Sequence, residues 1–192
     1  MKLPGFPIVS FKNADELRLW LEKNHKTSNG MWLRFFKKNS STPTVKYSEA
    51  VEEALCFGWI DSQVQKYDEE SYLQKFTPRR SKSIWSKINT ARVEQLIEDG
   101  RMKPAGLKEV ELAKQDGRWE KAYHPPSAAI IPEDFLKELS KNKKAKECFE
   151  RLNKTNTYAI FWRLSTAKNP ETRSKRIEAI ISMLSKGETF HP

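Results

Sequence analysis

The chain reads as an α+β protein: a small antiparallel sheet with packed helices, followed by a C-terminal all-helical bundle. Three observations predict this. Aromatic and alternating apolar runs between Met31 and Thr77 carry the period of strands. Helical patterns with apolar residues three and four apart flank those runs. Past Pro132 the apolar residues recur only at helical spacing. A chain of 192 residues can bury a substantial core, and 38% hydrophobic with 11% aromatic content excludes general disorder.

Asn13 before Ala14-Asp15-Glu16 marks a helix start, with acids suiting the dipole and Leu17, Trp20 and Leu21 as its buried stripe. Asn29-Gly30 turns the chain into a strand over 31–38. Ala50, Val51, Ala54 and Leu55 share one face of a helix over 47–57 that ends at Gly58. Residues 59–64 and 71–77 bracket the acidic turn Asp68-Glu69-Glu70 as a hairpin, with Tyr72, Gln74 and Phe76 on one side. Ser83 caps a predicted helix over 84–99 that buries Ile88, Ala91, Leu96 and Ile97, and Pro104 opens another through Gln115.

Three prolines in 121–132 predict a connection, which divides the chain into an α+β domain over 1–120 and a helical subdomain over 133–192. The subdomain is expected to hold three amphipathic helices. Their stripes are Ala145, Cys148, Phe149 and Leu152; Tyr158, Phe161 and Trp162; and Ile177, Ile180, Ile181 and Leu184, with Asn169-Pro170 before the last.

The net charge is +10, and it leans toward the C-terminal half: 16 basic against 13 acidic residues in 1–100, 19 against 12 in 101–192. Such a balance favours acidic or polyanionic partners. Between Ser71 and Val93 there is no acid, while Lys75, Arg79, Arg80, Lys82, Lys87 and Arg92 are interleaved with Tyr72, Phe76 and Trp85. Serines 81, 83 and 86 and Asn89 surround a helix start, where free N–H groups and the dipole favour an anion. A ligand-binding groove for an anionic small molecule or acidic partner is therefore expected, lined by Trp59, Asp61, Arg79, Arg80, Trp85, Ser86 and Asn89. Nucleic acid is the alternative partner, with lysine and arginine on phosphates and Trp85 stacking on a base. A carboxylate at Asp61 beside Trp59 and Ile60 is costly to bury alone, so a cation, Arg79 or Arg80, is expected beside it.

Other chemistry has little support. Cys56 and Cys148 read as reduced, buried thiols, and no Cys or His pair has metal-ligand spacing, so no metal or cofactor is expected. His25, His124 and His191 fall in no recognisable motif; Glu52-Glu53 and Asp68-Glu69-Glu70 read as solvated charge runs. No catalytic residue is assigned, and an enzyme of unrecognised type is the last alternative. No apolar run spans a bilayer, and the start MKLPGFPIVSF lacks the continuous apolar segment of a signal peptide, so a cytoplasmic location is expected. The isoleucine stripe near the C-terminus, flanked by Arg173, Lys175, Arg176 and Lys186, reads as a face docked on neighbouring helices rather than on a membrane.

The runs ALCFGWIDSQ (54–63), FTPRRSKSIWSKIN (76–89), GRMKPAGLKEVELAKQDGRWEKAY (100–123) and TYAIFWRLSTAKNPETRSKRIEAII (157–181) closely resemble the bacterial YdeI/OmpD-associated-like family, often labelled bacteriocin-protection proteins. The resemblance extends over about residues 8–185. It implies a stress or antimicrobial-peptide protection factor, with no agreed catalytic residues to carry onto this chain. A periplasmic, porin-associated role sits poorly with the missing export segment.

Overall fold

In the computed structural model, which describes residues 5–124, 130–167 and 169–192, the aromatic run after Gly30 is strand β2 (Met31–Phe36) of a four-stranded mixed sheet. The chain divides into two compact units, Met1–Ala122 and Tyr123–Pro192. Of the expected connection, residues 125–129 lie outside the described residues.

The N-terminal unit runs β1 (Ile8–Val9), α1 (Ala14–Asn24), β2, α2 (Tyr47–Cys56), β3 (Trp59–Lys66), β4 (Ser71–Pro78), α3 (Lys87–Glu98) and α4 (Pro104–Gln115). The sheet order is β1-β2-β4-β3. β4 is antiparallel to both β2 and β3, while β1 adds a two-residue parallel edge that no period-two run announces. Pairing Phe35 with Tyr72, Leu33 with Gln74 and Met31 with Phe76 puts those side chains on one face, as the alternation predicts.

That face packs with Leu17 and Leu21 of α1 and with Ala50, Val51, Ala54 and Leu55 of α2 into one buried core. Each large aliphatic side chain there contributes roughly 1.5–3 kcal/mol of burial free energy. Asn13 caps α1, its side chain accepting from the Glu16 N–H. Gly58, at φ +74°, reverses the chain after α2, where its missing Cβ leaves room for the Ala105 carbonyl of α4.

Two expectations are corrected here. α3 begins at Lys87 with Ser86 as its cap, and its buried residues are Thr90, Val93 and Leu96, while Ile88, Ala91 and Ile97 are exposed. Ile88 and Ala91 lie on the side of the helix opposite Thr90, Val93 and Leu96, so the expected stripe joins residues from two faces. Glu53 is not solvated: it is 4% exposed, held by Arg18 at 2.7 Å and Arg101 at 2.7 Å, with Glu52 also on Arg101 at 3.0 Å. Two guanidinium groups supply the charge and donors that a buried carboxylate requires.

The C-terminal unit contains four helices among the described residues: α5 (Glu133–Ser140), α6 (Lys143–Glu150), α7 (Lys154–Ser165) and α8 (Pro170–Ser185). The fourth, α5, is short and buries only Phe135 and Leu139, too few turns to stand out as a stripe. Asn169 and Pro170 start α8 as expected. On α7 the buried face is Asn156, Ala159, Ile160, Phe161 and Leu164, which leaves Tyr158 and Trp162 only half-buried. Asn156 also latches the chain end, donating to the His191 carbonyl at 3.1 Å and accepting from its N–H at 3.0 Å.

Candidate functional site

The acid-free stretch folds into the junction between the hairpin and α3, and most of its aromatic character is turned inward. Trp59 and Trp85 are 1% and 2% exposed, and Arg79 is 7% exposed. The Arg79 guanidinium lies 3.4 Å from the centroid of Trp85 and donates to the Ile84 carbonyl, while its backbone N–H donates to Gly58 at 2.9 Å. Trp85 packs in turn on Trp119 at 4.9 Å. A desolvated cation over an indole is worth about 2 kcal/mol, so Arg79 and Trp85 fasten the loop from within. Ser86 accepts from the Asn89 N–H as the α3 cap, and the Asn89 side chain accepts from Arg92.

The expected groove is therefore corrected for Trp59, Arg79 and Trp85: all three are buried, Arg79 packing on Trp85 and Trp59 on Trp20. Asp61 is also corrected: the donors on its carboxylate are neutral, Tyr47 Oη at 2.6 Å and Gln74 Nε2 at 3.2 Å. A bulge in β3 between Asp61 and Val64 makes this reachable, with Gln74 also donating to the Ser62 carbonyl. Burial, then the hydrogen bond to Asp61, pushes the Tyr47 phenol well above its ordinary value, so it stays a donor at neutral pH. Arg80 remains at the surface with Lys82 and Lys87, none of them paired with an acid among the described residues.

Cys56 sits beneath the Glu53 network, buried and free. Desolvation first, then the Glu53 charge, pushes its thiol up to about 11. That makes it a weak nucleophile at neutral pH. Among the described residues no group of three or more His, Cys, Asp or Glu could hold a metal ion, and no helix is long and apolar enough to cross a membrane.

A concavity of about 510 Å³ lies elsewhere on this unit, between the end of α1 and the start of α4. His25, Lys26, Lys103 and Lys108 line it, with Phe57, Pro104, Ala105 and Glu22. Glu22 is held by Lys103 at 3.3 Å, whereas Lys26 and Lys108 are exposed and face no acid among the described residues. The His25 ring packs on Phe57 at 5.1 Å and its Nδ1 donates to the Leu21 carbonyl at 2.8 Å, leaving Nε2 open. No side chain caps the first turn of α4 and no acid lies in it, so its positive dipole end is uncompensated. The arrangement can hold an anion of small-molecule size against an aromatic wall.

This cleft was missed because its walls come from three separated segments, around 25, 57 and 104. The one local signal is Lys103-Pro104, a basic cap before a proline-led helix without first-turn acids.

The C-terminal unit carries a cleft of about 630 Å³ lined by Trp162, Arg163, Thr166, Arg176, Met183 and Phe190, among others. A second, of about 420 Å³, shares Trp162 and Arg163 with it and adds Tyr123, Tyr158 and His191.

No curated protein and no solved structure matches the chain. Two families do. Residues 9–109, which hold the lysine-lined cleft, match the family described as Domain of unknown function (DUF8412). Residues 128–187, spanning α5 to α8, match the family described as Bacteriocin-protection, YdeI or OmpD-Associated. Of the runs that carry the resemblance, 157–181 falls within that second match, while 54–63 and 76–89 fall within the first. The first match spans more than half of the 192 residues, so the chain belongs to the DUF8412 family and carries a C-terminal segment of the bacteriocin-protection, YdeI or OmpD-associated kind.

Proposed function

We propose that this chain is a bacterial protection protein of the bacteriocin-protection type that acts by binding an acidic or phosphorylated ligand. The observation that carries the reading is the concavity on the N-terminal unit, where Lys26 and Lys108 have no acidic partner among the described residues and stand beside His25, Phe57 and the uncapped start of α4. The family description of residues 128–187 contributes the class of role and nothing about the ligand. Relative to the groove expected from sequence, the same ligand chemistry is reassigned from Trp59, Asp61 and residues 79–89 to this cleft.

The test uses inorganic pyrophosphate as probe and the thermal midpoint of the full chain at low ionic strength as readout. A ligand at a hundredfold its Kd stabilises by about 2.7 kcal/mol, a shift of several degrees. The stabilisation is expected to vanish in the Lys26→Glu/Lys108→Glu double variant and to persist in Arg80→Glu. Full stabilisation in the double variant would reject the site.

A nucleic-acid reading is favoured by one separate observation, the exposed Arg80, Lys82 and Lys87 around the start of α3. Oligonucleotide binding with a steep salt dependence, lost on reversing those three charges but not Lys26 and Lys108, would establish it instead.

A further inference from the structure

We infer that the C-terminal unit has its own ligand site, for a flat aromatic molecule bearing one anionic group, in the cleft between α7 and α8. The walls are Trp162 on one side and Ile180 and Met183 on the other, closed by Phe190. Its volume, about 630 Å³, lies within the range of small-molecule sites. The aromatic lining continues beyond Trp162 to Tyr123, whose ring stands edge-on to the indole at 4.6 Å.

Two guanidinium groups give the cleft its charge. Arg176 spends Nη1 on the Arg163 carbonyl and Thr166 Oγ1, and Arg163 spends Nη1 on the Ala159 carbonyl while stacking 3.7 Å over Phe190. Each group is thereby fixed in place by neutral acceptors, and neither meets a carboxylate among the described residues. Both side chains line the cavity with N–H donors beyond those bonds. A preorganised cation without a counter-charge beside an indole wall is complementary to a ring with a carboxylate, sulfonate or phosphate. A purely apolar ligand would leave those donors unmatched, and a small inorganic anion would leave the aromatic wall unused.

The periodicity of α7 explains why the cleft exists. Tyr158 and Trp162 lie four residues apart on the side that the bundle buries only in part, while Ile160 and Leu164 face its core. Large aromatic residues thus stand on a helix face that the packing of this unit leaves available.

Anilinonaphthalene sulfonate is the probe, followed by its fluorescence on the full chain and by the shift of the Trp162 indole N–H resonance. Saturable binding at the Trp162 resonance is expected. Arg163→Gln/Arg176→Gln should weaken it about tenfold or more, the worth of one or two charge-assisted hydrogen bonds. Because both arginines also hold α7 carbonyls, Ala179→Trp provides a second variant: it fills the cleft from an exposed helix position and should block the probe with the fold intact. Lys26→Glu/Lys108→Glu should leave binding unchanged, which separates this site from the one on the N-terminal unit. Unaltered affinity in a folded Ala179→Trp variant would overturn the inference, as would equal affinity for uncharged phenylnaphthylamine, the sign of apolar surface alone.

Discussion

Replacing Gly106 by alanine should destabilise the N-terminal unit, although the same change in an ordinary helix is favourable. An alanine Cβ at this position would lie 2.4 Å from the Cys56 carbonyl oxygen and 2.7 Å from that of Leu55. Both obstacles are backbone at the end of α2, so no side chain can swing away. To restore even a 3.0 Å approach, α4 must withdraw by at least 0.6 Å, straining the 3.1 Å bond from the Lys103 N–H to Cys56 and the packing of Val110 and Ala113. Overpacking of this kind costs roughly 3 kcal/mol, and the gain in helix propensity returns about 1. The net loss is then about 2 kcal/mol, or about 8 °C in the thermal midpoint of a unit this size. Urea unfolding followed by tryptophan fluorescence reads the change, since Trp20, Trp32, Trp59, Trp85 and Trp119 all belong to this unit. A midpoint equal to or above that of the unchanged protein, with the same slope, would refute the steric argument.

Glu53→Gln should also be costly, by about 2–4 kcal/mol, because Arg18 and Arg101 lose the buried carboxylate that both contact at 2.7 Å; a loss below about 0.5 kcal/mol in urea titrations would mean the network is incidental. The C-terminal unit should lose stability in acid through Asp134, whose carboxyl is held below its ordinary value first by the hydrogen bond from Arg173. A carboxyl with a lowered folded value stabilises at pH above its unfolded value, about 3.9, and ceases to do so as pH falls through the folded one. Unfolding midpoints of the unchanged chain and Asp134→Asn should therefore differ above about pH 5 and converge as pH falls through the lowered folded value; a gap that stays constant into strong acid would assign the effect to something other than titration.

The elements of the N-terminal unit were largely legible because they are written in local chemistry. Asn13 caps α1, Gly58 ends α2, Pro104 opens α4, and Tyr72, Gln74 and Phe76 alternate onto one sheet face, each a consequence of neighbours along the chain. Errors appeared where apolar residues from two sides of one helix were joined into a stripe, as with exposed Ala91 and buried Leu96 on α3. Charge was legible only as an amount. The segment 71–93 does hold a surplus of cations, yet Arg79 went inward onto Trp85 while Arg80, one residue on, stayed outside.

By itself, then, the sequence determined the α+β class, the helical C-terminal part, the burial of both cysteines and the excess of cations, because periodicity, turn chemistry and composition are properties of short stretches. Only the tertiary structure decided which cations meet an acid, an indole or open solvent. It drew Glu53 between two arginines from distant segments, gave Asp61 to Tyr47 and Gln74, and left Lys26 and Lys108 lining one cleft with no acidic partner among the described residues. The physical reason is that the free energy of a charge depends on what surrounds it in space, and those surroundings are assembled from residues far apart along the chain.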